Sequence, residues 1–187
     1  MAITLYDLSV PTFLQTTRAM SNVLQRAATH GAATGADPDD LVHARLHPDM
    51  APFHFQIESL KNHAVWGLQA VKTGAFTPPP LAGAVPFARL QATLTEAIAL
   101  LGALTPGEVN GWSGKNLDIE IYRPLDPDHA CTSAWGPQIL AFTPETYLLT
   151  YALPNFYFHA VTAYDILRTR GVPIGKGDYE GVLRTRT

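Results

Sequence analysis

The chain has 187 residues, 47% hydrophobic and only 16% charged, which allows one continuous core and is low in charge for a globular protein. A formal net charge of −3 comes close to excluding nucleic-acid binding through a basic face and gives no attraction to an anionic membrane. A single cysteine, Cys131, forbids an internal disulfide framework and fits a reducing cytoplasm.

The opening MAITLYDLSVPTF has no positive n-region and no long apolar run, so no signal peptide is expected. No stretch approaches the ~20 apolar residues that span a bilayer. Ser9, Val10 and Pro11 read as a helix start, a capping hydroxyl followed by proline in the first turn. Val10, Phe13, Leu14, Thr17, Met20, Leu24 and Ala27 follow at steps of three and four. This spacing predicts an amphipathic helix over about 9–29, ended by Gly31 and Gly35. Asp37, Pro38, Asp39 and Asp40 mark a short second piece. Met50, Phe53, Ile57, Leu60, Ala64, Leu68 and Val71 then predict a helix over about 48–73, with Pro52 tolerated in its first turn. TPPPLAGAVP, Thr77 to Pro86, is a rigid, mostly extended connector. Phe87, Leu90, Leu94, Ile98, Leu101 and Leu104 give a third long helix over about 86–104.

Gly114 to Phe142 differs in kind. Leu117, Ile119 and Ile121 alternate with Asp118, Glu120 and Tyr122, a strand pattern. Pro124, Pro127 and Pro137 break the segment beyond it, and a second short strand from roughly Gln138 to Phe142 closes a hairpin. Thr143, Pro144 and Glu145 start the last helix, over about 143–170 and roughly 40 Å long. Gly171 stops it and Pro173 prevents resumption. The expected fold is all-α: one domain over 1–187, a four-helix bundle with a long crossover and a small β-hairpin excursion at 114–142 between helices three and four.

Three stretches carry a resemblance: ITLYDLSVPTFLQTTRAMSNVLQRA at the start, LHPDMAPFHFQIESL in the second helix, and LPNFYFHAVTAYDILRTRGVPIGKGDY at the end. Together they resemble a bacterial domain-of-unknown-function family of the DinB-like (DinB/YfiT metalloenzyme) superfamily. The C-terminal stretch is the most specific part. The resemblance implies a four-helix bundle, usually a homodimer. It further implies a divalent metal, often nickel or zinc, held by one histidine of the second helix and two, four residues apart, of the last. Some members are thiol-dependent transferases or isomerases. This sequence departs from that pattern. The last-helix pair is Asn155 and His159, and the second-helix position falls on Gln56. By resemblance, the degenerate metal site is therefore Gln56, Asn155 and His159.

The residues themselves allow two readings of that site. Leu148, Ala152, Asn155, His159, Thr162 and Ile166 form a three-four run that predicts a core-facing seam. Asn155 and His159 are then either a metal or substrate site or a buried polar pair that fixes packing across the bundle. Tyr151, one turn earlier, is placed to donate to a ligand or to pack at the boundary. Gln56 and His63 lie about 60° to one side of the second helix's apolar seam, with His54 and Lys61 on the other. The two flanks do not face one pocket. His63 and Thr162 are further pocket candidates, and His54 is expected at the surface or an interface. His43 and His47 are discounted because Pro48 interrupts any shared helix. Asp126, His129 and Cys131 are a weak metal signal without a second cysteine. The aromatic residues around the last helix, apolar nearly all round, predict a subunit partner.

Two functions remain open. One is a divalent-metal-dependent transferase or hydrolase, with His159 as ligand or base. The other is a non-catalytic dimeric bundle that binds a small molecule or a protein partner, its metal site lost.

Overall fold

The computed structural model describes residues 3–124 and 134–185. Helix α1 (Leu5–Thr34) is followed by a 3-10 turn at Pro38–Leu41. Helix α2 (Phe53–Lys61) continues through a π turn, Asn62–Trp66, into α3 (Gly67–Thr73). Helix α4 (Phe87–Gly102) and the short α5 (Pro106–Asn110) precede a hairpin of β1 (Leu117–Pro124) and β2 (Trp135–Phe142). The last long helix is built from α6 (Pro144–Tyr147), a π turn at Leu148–Ala152, and α7 (Leu153–Thr169). A short α8 (Lys176–Glu180) packs back on α1.

The principal helix neighbours are α1 with α4, α4 with α2, α2 with α7, and α7 with α1. This is a closed ring of four, a four-helix bundle. Helices α1 and α2 lie on one diagonal and α4 and α7 on the other, so each of these two pairs is joined across the bundle and not between neighbours. The core fills the ring: Phe13 of α1 meets Phe156 of α7 edge to face at 4.9 Å, and Phe53 stacks on Phe87 at 5.9 Å. Val10, Met20, Leu24, Ile57, Leu60, Leu90, Leu94 and Ile166 are all fully buried, so the three-four spacing of each segment does become an inward face.

Three starts differ from the sequence expectation. Helix α1 begins at Leu5, not Ser9. Thr4 caps it in a reciprocal box with Asp7, and Ser9 lies inside, its hydroxyl donating to the Leu5 carbonyl at 2.6 Å. Pro11 therefore sits within the helix and removes the amide that would bond the Asp7 carbonyl. Arg184 Nη1, from beyond α8, donates to that carbonyl at 3.4 Å. Helix α2 begins at Phe53, with Pro52 as its cap. Strand β2 begins at Trp135, three residues before Gln138. Pro137 fits there because a two-stranded sheet leaves it a free edge. The strands are antiparallel with Ile119 opposite Leu140. Leu117, Ile119 and Ile121 are buried beneath the sheet.

The last helix starts as its sequence reads. Thr143 Oγ1 accepts from the Thr146 amide at 3.2 Å, and Thr146 Oγ1 accepts from the Thr143 amide at 2.8 Å. Gly171, at φ 83°, follows its end, and only glycine adopts that angle freely. Replacing Thr143 with alanine is expected to lower stability by about 1 kcal/mol in chemical denaturation. Thr150→Ala, an exposed hydroxyl on the same helix, is expected to stay within about 0.5 kcal/mol of the parent.

Candidate functional site

Two π turns build the site. In the first, the Gly67 amide donates to Asn62 O, a five-residue step. In the second, the Leu153 amide donates to Leu148 O, again five residues back. Pro154 explains the second: it has no amide and its ring crowds the carbonyl of Thr150, so the chain widens before it. The two turns abut, since a Cβ on Gly67 would lie 3.4 Å from Ala152 Cβ. One turn carries His63 and the other carries Tyr151.

His159 of α7 is the centre. Its Nδ1 lies 2.7 Å from Gln56 Oε1. Gln56 Nε2 donates to the Ala51 carbonyl at 3.0 Å, which leaves Oε1 turned to the imidazole. An amide oxygen only accepts, so Nδ1 of His159 carries the hydrogen and Nε2 the lone pair. His63 stacks on His159 with ring centres 5.4 Å apart and planes 14° from parallel. Phe76 stacks on the other face of His63 at 5.5 Å. Tyr151 stands edge-on to His63 at 5.6 Å, while Phe55 and Phe158 stand edge-on to His159.

Burial decides the charge of this column. It pushes His159 down to about 4, and burial together with the neighbouring His159 pushes His63 down to about 3. Both rings are neutral near pH 7. Nδ1 of His63 is buried without a hydrogen-bond partner. Burial likewise raises the hydroxyls of Tyr147 and Tyr151 above the ordinary tyrosine range.

The structure brings Gln56, His159, His63 and Tyr151 together. Asn155 is half-buried, and its amide nitrogen donates to the Tyr151 carbonyl at 2.8 Å within its own helix. Thr162 is buried one turn beyond His159 and makes no hydrogen bond to the pair. His54 lies on the opposite flank, as the helix period requires, but mostly buried rather than at the surface. Its Nδ1 is 3.3 Å from Glu58 Oε1. The other Glu58 oxygen accepts from the Ala82 amide at 2.5 Å. His43 is exposed and turns its edge to His54, while His47 pairs with Asp49. Asp126, His129 and Cys131 lie outside the described residues. Among the described residues no three His, Cys, Asp or Glu side chains cluster as a metal would need.

Phe76 and Ser59 were not singled out by the sequence. Phe76 sits in the aperiodic connector after α3, where no spacing marks it. Beside the histidine column an open cleft of about 300 Å³ is lined by Ser59, Asn62, His63, Phe76, Pro78 to Pro80 and Leu81.

The sequence profile of a domain of unknown function (DUF1993) matches residues 5–180. A solved DinB family member protein from Shewanella denitrificans has the same fold, with a TM-score of 0.74 over 98% of this chain and 95% of that one, at 22% identity. No curated protein matches the chain.

The neutral histidines set an acid-side stability change. An unfolded chain protonates its imidazoles near 6.5, well above the values of about 4 and about 3 in the folded state. Between those limits the unfolded state binds more protons, so stability falls as the pH drops below 6.5. Carboxylates held below their ordinary values of 3.8 to 4.5 act lower on the scale. Denaturant unfolding between about pH 6.5 and pH 5 should therefore lose roughly 2 kcal/mol through His159 alone. His159→Gln should reduce that slope and leave the part that His63 carries, and a wild-type curve flat over this range would contradict it.

Proposed function

The chain belongs to the DUF1993 family of DinB-like bundles, and we propose that it is a metal-independent bundle that binds a small molecule, not a divalent-metal-dependent transferase or hydrolase. The observation that carries this reading is Gln56, whose carboxamide is engaged at both ends. Its oxygen, the one atom that could ligate, accepts from His159, and its nitrogen donates to Ala51. A carboxamide is a poor ligand for nickel or zinc in any case. Asn155 is turned back on Tyr151. His63 adds no convergent donor, because ring lone pairs lie in the ring planes and the two planes are nearly parallel. One imidazole nitrogen with two carboxamides does not fit a site that wants three or four strong donors.

The family likeness also supports a homodimer. Leu149, Tyr157, Phe158 and Val161 expose apolar side chains along one side of the last helix, a surface suited to a symmetric partner. The single cysteine favours the cytoplasm as the place of action. Among the described residues no helix is long and apolar enough to cross a membrane.

Protein prepared without tag or chelator should show far less than one equivalent of nickel, zinc or manganese per chain by elemental analysis. A full equivalent, retained through gel filtration and lost in His159→Ala, would defeat this reading. His159→Ala should instead lower stability by roughly 1–3 kcal/mol by leaving Gln56 Oε1 buried and unpaired. Val161→Glu should turn the sedimenting dimer into a monomer.

A further inference from the structure

The cleft beside the histidine column holds polar groups that the protein itself leaves unanswered. Ser59, Asn62 and His63 sit at steps of three and one on α2 and its π turn, all toward the connector that follows α3. Ser59 is buried and Asn62 half-buried. Among the described residues neither side chain makes a hydrogen bond, and Nδ1 of His63 is buried with none. A buried atom left in this state forfeits its hydration without recompense, and such atoms call for an explanation.

Three successive residues of the opposite wall offer no backbone donor. Pro78, Pro79 and Pro80 have no amide hydrogens, so this part of the connector presents flat apolar rings and carbonyls only. Phe76 extends that wall and is itself stacked on His63. The connector is held in place from the far side, where Glu58 accepts from the Ala82 amide and Asp39 accepts from the Phe87 amide.

Formal charge is absent from this cleft. The ionic groups of the adjoining groove are matched: Lys61 and Arg89 both pair with Glu96, and Glu58 meets His54. A hydroxyl and a carboxamide each donate and accept, and a neutral imidazole nitrogen does one or the other. The space of about 300 Å³ suits on the order of ten non-hydrogen atoms, at the roughly 30 Å³ one water occupies in the liquid.

We propose that the cleft between the α2 π turn and the proline connector binds a small, uncharged, planar cyclic amide, its ring against Phe76 and the prolines and its amide edge on Ser59 and Asn62, beside His63. The proposal rests on the small-molecule reading above and specifies its ligand class.

The test is a titration of isotope-labelled, tag-free protein with 2-pyridone, followed by NMR at the Asn62 side-chain amide and the histidine ring nitrogens. Saturable shifts at Asn62 and His63 are expected. Asn62→Ala and Ser59→Ala, each checked for an unchanged melting temperature, should each weaken binding about tenfold, the worth of about 1.4 kcal/mol. Benzoate, of similar size but charged, and toluene, without a polar edge, should give no saturable shift at these residues. No saturation with 2-pyridone, equal binding of benzoate, or unchanged affinity in both variants would overturn the proposal. Metal content is measured on the same sample. A metal-loaded protein that still binds 2-pyridone sinks the metal-independent reading alone, and a metal-free protein that ignores the lactam sinks this assignment alone.

Discussion

The hydrogen bond from His159 to Gln56 is the constraint around which the site is arranged. A buried imidazole must find a partner or cost the bundle the full desolvation of that group. Gln56 supplies the partner, and it does so in one orientation because Ala51 accepts from its nitrogen. That fixes the tautomer of His159, places its lone pair on Nε2, and ties α7 to the first turn of α2. His63 and Phe76 then have a flat, uncharged ring to stack on. If Gln56 were rotated, two amide hydrogens would face a protonated ring nitrogen and the column would lose its anchor.

Prolines set the geometry that makes this contact possible. Pro154 forces the wide turn before α7, and that turn meets the wide turn after α2 at Gly67 and Ala152. A regular helix on either side would rotate Tyr151 or His63 by a large part of a turn away from the column. Pro11 removes a helical bond in α1, and Arg184 answers the freed carbonyl from the C-terminal segment. Pro78 to Pro80 stiffen the connector and strip it of donors. In each case a missing amide hydrogen is matched by something specific: a wider turn, a distant guanidinium, or an open cleft.

The bundle was legible because its information is local. The spacing of Val10, Phe13, Met20 and Leu24, or of Leu90 and Leu94, needs only the helical period to become a buried face. Leu117, Ile119 and Ile121 declare a strand in the same way. Ends were harder, since Ser9 and Pro11 look like a start until Thr4 and Asp7 form a better one. The site was legible in part. Gln56 and His159 were placed by resemblance to the family, and the shared flank of Gln56 and His63 by the helix period. Their stacking was not readable, because it depends on two π turns that shift the period within the chain. Asn155 shows the same limit: its spacing from His159 is right for a shared face, but its amide finds the Tyr151 carbonyl first. His54 was expected at the surface or an interface, and it lies mostly buried beside Glu58 and His43, contacts that no helical spacing announces.

Charge in this region is sorted by depth. Lys61, Arg89 and Glu96 form their pairs at the rim, where water screens them and they contribute little to stability. The polar side chains that line the cleft beside the histidine column are a hydroxyl, a carboxamide and an imidazole. Such an interior recognises by hydrogen-bond pattern, and an analogue lacking the matching edge is rejected because buried groups are left unpaired. Gln56 suits this better than a second histidine would. A carboxamide donates and accepts without changing charge at any pH the folded chain survives. An imidazole in its place would titrate near neutrality unless burial or a metal held it in one form. Gln56 thus holds the cross-bundle hydrogen bond to His159 with a group that carries no titrating charge of its own.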